Sequence, residues 1–376
     1  MKFIHLSDLH LGKRVNEFSM SEDQEYILTK IINIIDEEKP DGVLIAGDVY
    51  DRSVPTEEAM QLWDSFLNRL VQRKLKVFAI SGNHDSAVRF SDHNRLVELA
   101  GVHLSPIFDG KTVSFTMEDK FGRVNIYLLP FVKPVMVRQA FPDEEISSYT
   151  DACRVAIDHM NVDTSERNIL VAHQFVTGAT RCESEEVVVG GLDNVDAGVF
   201  DAFDYVALGH IHGRQKIQRD GVVYSGTPLK YSFSEKDHKK SVTVLEVLEK
   251  GNLVIKEVPL VPKRDLREIR GTYEELVTKK NYEGTNVDDY IHAVLTDEED
   301  IPDAMSKLRV IYKNLMKLTY DNKRTRENKV ITGATEVENK SPLELFEEFY
   351  ELQNNQKMSD EQRNFSLELI KSIWEV

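Results

Sequence analysis

Val43-Leu44-Ile45-Ala46-Gly47-Asp48 is the run that decides the fold: four apolar residues, a glycine and a carboxylate. Such a run reads as a strand buried on both faces whose last residue carries an acid out of the carboxyl edge of a sheet. In α/β proteins that edge is where ligands bind. A lone Gly-Asp would be a turn after a strand and nothing more, but here the arrangement recurs. Upstream, Phe3-Ile4-His5-Leu6-Ser7-Asp8-Leu9-His10 ends in Asp-x-His, and Val77-Phe78-Ala79-Ile80-Ser81-Gly82-Asn83-His84-Asp85 ends in Gly-Asn-His-Asp. Downstream, Ile169-Leu170-Val171-Ala172-His173 and Tyr205-Val206-Ala207-Leu208-Gly209-His210-Ile211-His212 repeat it twice more. These strand ends present oxygen and imidazole groups and no thiolate.

A chain of 376 residues exceeds one ordinary core and predicts two or three units. Lys and Arg number 47 against 64 Asp and Glu, a net charge of −17. That balance argues against broad nonspecific affinity for nucleic acid but leaves room for a local basic groove, with Lys236–Lys240, Lys263–Arg270 and Lys323–Lys329 as its candidates. Two cysteines, Cys153 and Cys182, are too few for a disulfide framework or a thiolate zinc site. His5, Ser7 and Asp8 interrupt the amino-terminal apolar run, so it does not read as a signal-peptide core, and no uninterrupted apolar run approaches bilayer length. The expectation is a cytoplasmic protein with no membrane partner.

Strand and helix signals alternate through the first half. Ser21 with Gln24 predicts a capping box for a helix whose buried stripe is Ile27, Ile31, Ile34 and Ile35. Thr56 opens a second helix with Ala59, Trp63, Phe66 and Leu70 on one face. This βαβ succession gives way after Val102 to short β runs, a helix near Tyr149–Met160 and further β structure over 222–258. The expected fold class is α/β: a sandwich of two mixed β-sheets flanked by helices over 1–263, a small α/β capping domain over 264–325, a polar linker over 326–340 and a C-terminal helical pair over 341–376. In the second unit the pattern predicts a strand at Leu266–Ile269, a helix at Tyr273–Lys280, a strand at Asp289–Leu295 and a long amphipathic helix at Ala304–Lys317. Gly110-Lys111-Thr112 imitates the end of a P-loop, yet Ser105 stands where its first glycine must be, so it reads as a turn and no nucleotide is expected on this chain.

Aspartate, asparagine and neutral imidazole suit hard or borderline divalent ions such as manganese, magnesium or iron better than a structural zinc. Two such ions need a shared carboxylate, and Asp48 is the candidate, its strand lying between the Asp8 and Asn83 strands in chain order. Ions held ~3.5–4 Å apart clamp the attacking and leaving oxygens of a phosphoryl transfer. Hydrolysis of a phosphate ester is the chemistry this predicts.

The series Asp8-x-His10, Gly47-Asp48, Gly82-Asn83-His84-Asp85, His173 and Gly209-His210-x-His212 resembles the calcineurin-like metallophosphoesterases. Ser7-Asp8-Leu9-His10-Leu11-Gly12, Asp48-Val49-Tyr50-Asp51, Val189-Gly190-Gly191 and the Tyr224–Phe233 run narrow the resemblance to the SbcD family, nuclease subunits of bacterial SbcCD complexes. The resemblance implies a first ion on Asp8, His10, Asp48 and His212, and a second on Asp48, Asn83, His173 and His210, with Mn2+ ahead of Mg2+ or Fe2+. It implies that His84 contacts the scissile phosphate or the leaving oxygen, with Asp51 or Asp85 orienting that imidazole. It also implies DNA as substrate, at double-strand ends, hairpins and single strands, an SbcC-type coiled-coil ATPase as partner, and a homodimer within a heterotetramer acting in repair and recombination at the nucleoid. Archaeal and eukaryotic relatives carry a histidine where this chain has Asp51 or Arg52, so the bacterial pattern is the one that fits. A phosphatase or cyclic-nucleotide phosphodiesterase on the same scaffold is the alternative enzyme, and a scaffold without activity the alternative to an enzyme.

Ser341-Pro342-Leu343-Glu344 reads as a capped helix start, followed by Leu345, Phe346, Phe349 and Leu352 on one face. Phe365, Leu369, Ile370 and Ile373 repeat the stripe. Two short helices cannot bury that surface alone, so the expectation is docking on another chain, by resemblance the ATPase.

Overall fold

The computed structural model describes residues 1–90, 97–185, 193–323, 325, 341–354 and 357–374. The Val189-Gly190-Gly191 motif, the expected linker and the side chains of Leu352 and Ile373 lie outside the described residues.

Two six-stranded sheets pack face to face. In the first, Lys2–Leu6, Gly42–Ala46, Lys76–Ile80 and Val102–Leu104 run parallel, and Ser241–Val247 and Leu253–Pro259 extend the Lys2–Leu6 side antiparallel. In the second, Val222–Tyr224, Tyr205–Gly209, Arg167–His173 and Gly122–Leu129 run parallel, with Gln215–Lys216 and Val113–Asp119 antiparallel at the edges. Both sheets are mixed, as the alternation of signals predicts.

The period-2 geometry of a strand explains why these runs are apolar throughout. In Gly42–Ala46, Leu44 and Ala46 enter the core between the sheets with Phe3, Phe78, Ile126 and Val171, whereas Val43 and Ile45 face the outer core with Ile27, Ile31, Trp63 and Phe66. Helices Ser21–Glu38 and Glu57–Gln72 cover the first sheet, and Pro134–Ala140 and Tyr149–Asp158 contribute to the core outside the second. Thr56 caps its helix as predicted, its Oγ1 accepting from Ala59 N at 3.2 Å.

Three expectations fail locally. Ser21 is already helical, Met20 is the N-cap, and no side-chain cap bond forms. Gln24 is spent elsewhere: its Nε2 donates to His10 O at 2.7 Å and its Oε1 accepts from Gly12 N at 3.0 Å. In the second unit the helix expected over Ala304–Lys317 covers only Ala304–Leu308, and Leu315–Tyr320 is a strand parallel to Tyr290–Leu295. Leu308, Tyr312 and Leu315 are spaced like a helix face and are all buried, but the chain turns through 3₁₀-like bonds before the strand, so the spacing misleads. The helix expected over Tyr273–Lys280 is two short ones, Tyr273–Val277 and Lys279–Tyr282. With Leu266–Gly271 these strands make a three-stranded parallel sheet around Leu276, Ile291 and Leu308. Helices Pro342–Asn354 and Asp360–Trp374 follow. Among the described residues no helix is long and apolar enough to cross a membrane.

Candidate metal centre

The two sheets meet at the carboxyl ends of their parallel strands, and glycine makes the meeting possible. A Cβ on Gly209 would lie 1.8 Å from Ala46 O, and one on Gly82 would lie 2.1 Å from an Asp48 carboxylate oxygen. The Gly-Asp, Gly-Asn-His-Asp and Gly-His signatures therefore record close approach as well as turns.

Asp8, His10, Asp48 and His210 all adopt positive φ, at 53°, 44°, 48° and 100°. Such conformations cost about 1–3 kcal/mol each and persist where the surroundings over-determine them. Here Asp8 N donates to Gly47 O at 3.0 Å, His10 N to Asp48 O at 2.9 Å and His210 N to Asp8 Oδ1 at 3.0 Å. Each strained residue is pinned by the loop after another strand.

The side chains converge in two groups sharing Asp48. His173 Nε2 lies 3.3 Å from Asp48 Oδ2 and 2.9 Å from Asn83 Oδ1, and His210 Nδ1 lies 3.0 Å from the same Asn83 oxygen. On the other side His10 Nε2 lies 3.8 Å from Asp48 Oδ2 and 3.2 Å from His212 Nε2, and the donor atoms of Asp8, His10 and His212 all fall within 4.8 Å of one another. Ligands at a bond length of ~2.1 Å are separated by about 3.0–3.4 Å along the edges of an octahedron or tetrahedron, and the His173–Asp48, His173–Asn83, His210–Asn83 and His10–His212 spacings lie at that range, while His10–Asp48 is wider. His173 Nδ1 donates to Ala46 O at 2.8 Å, which directs its Nε2 at the cluster.

The electrostatics also call for a cation. Burial pushes Asp8 up to about 6, opposed by His173 and reinforced by Asp48. Burial works against charge on Asp48 as well, yet His173, His10 and His84 around it hold its carboxyl well below the usual range. His173 rises to about 9 because Asp48 and Asp8 outweigh its burial. A buried carboxylate pair is thus balanced by imidazoles at the positions where a divalent ion would do so better.

His84 stands at the rim, its side chain 19% exposed, with Nε2 4.0 Å from Asp48 Oδ2. Its amide donates to Asp48 Oδ1 at 2.9 Å, and its Nδ1 lies 3.1 Å from the main-chain oxygen of Asp51. Orientation of His84 therefore runs through the Asp51 carbonyl and through neither carboxylate. The Asp51 carboxylate pairs with Lys13 Nζ at 2.7 Å and lies 3.8 Å from His10 Nδ1. Asp85 accepts from Gly82 N, Val49 N and Tyr50 N at 2.9, 3.1 and 2.9 Å, tying the Asn83 loop to the Asp48 loop.

Sequence reasoning missed the support behind His212. Glu235, wholly buried, lies 3.2 Å from His212 Nδ1 and 2.5 Å from Lys240 Nζ, and Lys240 also donates to His212 O at 2.9 Å. Ser184 Oγ is 2.9 Å from the same His212 Nδ1. Glu235 lies two residues past the Phe233 that closes the recognisable run, among Lys236, Lys239 and Lys240, where a charge cluster reads as solvated. His5, by contrast, is a satisfied core histidine, 2.9 Å from Tyr205 OH and pushed down to about 3 by burial.

Residues 1–214 match the calcineurin-like phosphoesterase family, and residues 262–354 match a family described as the type 5 capsule protein repressor C-terminal domain. The chain is 32% identical over 381 residues to the SbcD subunit of the nuclease SbcCD from Staphylococcus epidermidis, covering 99% of each. Among solved structures it is similar to that of TT1561 of Thermus thermophilus, with 12% identity and a TM-score of 0.41 over 68% of this chain and 98% of that one.

Proposed function

The chain belongs to the SbcD family of calcineurin-like phosphoesterases, and from that premise we propose that it is a metal-dependent DNA nuclease, the cutting subunit of an SbcCD-type complex in repair and recombination. The observation that carries the reading is the convergence of Asp8, His10, Asp48, Asn83, His173, His210 and His212 from five strand ends onto one carboxylate, Asp48. Asp8, His10, Asp48 and His212 are the proposed ligands of one divalent ion, and Asp48, Asn83, His173 and His210 those of the second. Manganese is the proposed ion, with magnesium or iron as alternatives, since every donor is oxygen or imidazole. Such ions, when bound, polarise the phosphate and lower the pKa of water.

The chain's own part is positioning and proton transfer. Asp85 holds the Asp48 and Asn83 loops in register through three backbone amides. His84 Nδ1–H is fixed on the Asp51 carbonyl, so its Nε2 faces the site and can hold or deliver the proton that the leaving oxygen requires.

The proposed substrates are double-strand ends, cut exonucleolytically with ATP, and hairpins or single strands, cut endonucleolytically. The 264–325 unit is proposed to recognise DNA, and the 341–376 helices to bind an SbcC-type ATPase within a heterotetramer of two such subunits and two ATPases at the nucleoid. The test is a manganese-dependent assay on hairpin and linear duplex DNA, with and without the ATPase and ATP. Hydrolysis of a small chromogenic ester with no cleavage of any DNA would replace this reading by a phosphatase.

A further inference from the structure

We propose that the cavity beside His210 receives one unstacked nucleobase of the strand being cut and favours bases that carry an exocyclic amino group. The proposal deepens the nuclease reading and rests on it. The cavity, of about 150 Å³, opens against Asn83 and His210, so whatever fills it lies next to the proposed second ion. It has room for a single planar heterocycle.

Its walls are aromatic and held in place. The Phe131 ring lies nearly parallel to His210, at 14° with centroids 6.5 Å apart, and Phe175 is tilted 59° to that imidazole with centroids 6.4 Å apart. The Arg181 guanidinium stacks 3.3 Å from the Phe175 centroid and is pinned by Asp193 Oδ2 at 2.9 Å. Fixed aromatic faces beside a backbone-cutting site are what an extruded base stacks on.

The polar atoms on this wall decide which base. Gln174 is wholly buried, and its Nε2 donates to Val132 O at 3.2 Å while its Oε1 has no partner among the described residues. Asp193 has one oxygen on Arg181 and the other, buried, without a partner among the described residues. His210 has Nδ1 on Asn83 and a buried Nε2 that likewise meets no partner among them. Two of the three atoms can only accept. Buried acceptors without donors are costly, and the ligand that satisfies them brings N–H groups. Adenine N6, cytosine N4 and guanine N2 are amino groups with two N–H donors each, whereas thymine has a single ring N–H flanked by two carbonyl oxygens. Exposed Lys133 at the mouth supplies a cation for a neighbouring phosphate.

Two consequences are measurable. A base that must leave its stack leaves most easily at single strands, frayed ends and hairpin loops, so these should be cut ahead of internal duplex. On single-stranded oligonucleotides with manganese, cleavage beside one amino-bearing base in a thymine tract should exceed cleavage beside thymine by roughly tenfold, the worth of one hydrogen bond. An abasic site scanned across the nucleotides flanking the cut should slow cleavage at one position only. Gln174→Leu should erase the base preference, and Phe131→Leu should weaken the abasic effect. Both are read as ratios within one protein, so an overall loss of rate cancels. Fluorescence of 2-aminopurine at that nucleotide, with calcium in place of manganese, should rise on binding and serves any variant too slow to score. An abasic profile that is flat, or a preference that survives Gln174→Leu, would overturn the pocket while leaving the nuclease reading standing. Failure of the wild-type protein to cut any oligonucleotide would overturn both.

Discussion

His10 Nε2 faces His212 Nε2 at 3.2 Å, across 202 residues of sequence. Two imidazole nitrogens at that distance share a proton or a cation; two lone pairs or two N–H groups would repel. Burial holds His10 well below its ordinary range, while His212, despite its own burial, is pushed up to about 10 by Cys182 and Glu235 beside it. The pair is therefore set for one positive charge, and a divalent ion supplies it without taking Nε2 protons. Stripping the protein with a chelator should leave it folded, because the cores on both faces of each sheet owe nothing to metal. It should nonetheless lower stability by about 3 kcal/mol for each ion lost, relative to protein in manganese at a hundred times its Kd. Calorimetry with and without the ion reads this, and equal melting temperatures would remove the site.

Asp48 and His84 separate metal binding from chemistry. Asp48→Asn should abolish nuclease activity with the fold intact, since both halves of the donor cluster meet on that carboxylate. His84→Ser should retain both metal equivalents and cut roughly a hundredfold to ten-thousandfold more slowly, as for a lost acid–base group. Near-normal turnover by the first variant at saturating manganese, or a missing metal equivalent in the second, would reassign the residue concerned.

What was legible in the sequence was what a strand does to its last residue. A buried parallel strand must be apolar along its length, so an acid, amide or imidazole at its end stands out, and every donor in the cluster announces itself that way. Glu235 and Gln24 did not, because neither stands at a strand end and each meets the site only through the tertiary fold. Glu235 sits in a lysine-rich loop that is buried only once it closes on His212, and Gln24 on a helix face whose spacing looks like a capping box. Leu315–Tyr320 was hidden for the opposite reason: its apolar residues continue a helical period that the backbone abandons at Leu308.

Glu235 is the positioning residue for His212, and its pH dependence has a definite sign. Burial opposes its charge, but His212 and Lys240 hold its carboxyl far below the ordinary value. A carboxylate depressed on folding contributes stability that is complete above the unfolded pKa and is lost as pH falls towards the folded one. The wild-type protein should therefore lose this contribution only in acid, below the ordinary carboxylate range, and Glu235→Gln should flatten that part of the acid-stability profile. Glu235→Ala leaves Lys240 buried without its partner, at a cost of about 3–5 kcal/mol. With His212 unanchored, one metal equivalent should bind roughly 10–100-fold more weakly while the other is unchanged. Equal weakening of both, by calorimetric titration of Glu235→Gln, would show that Glu235 supports the fold rather than one ligand.

The C-terminal helices carry the last prediction. Ser341 Oγ accepts from Glu344 N at 3.3 Å while Glu344 returns a bond to Ser341 N at 2.6 Å, and Ser359 with Gln362 does the same at 3.2 and 2.9 Å, so both helices start on reciprocal caps. Much of their apolar surface is exposed: Phe346, Phe349, Phe365 and Leu369 are 43, 57, 67 and 49% exposed. Four large apolar side chains on two short helices, rimmed by Glu347, Glu348 and Glu351, fit a groove on another chain. Changing Phe346 and Phe349 together to Asp, or deleting 341–376, should abolish co-purification with the proposed ATPase partner and the ATP-stimulated cutting of duplex ends. Both lie apart from the donor cluster at Asp48, so manganese-dependent cleavage of single strands by the isolated subunit should survive. Retained ATPase binding by the truncated chain would refute the docking role, and loss of single-strand cleavage would show that these helices belong to the catalytic fold.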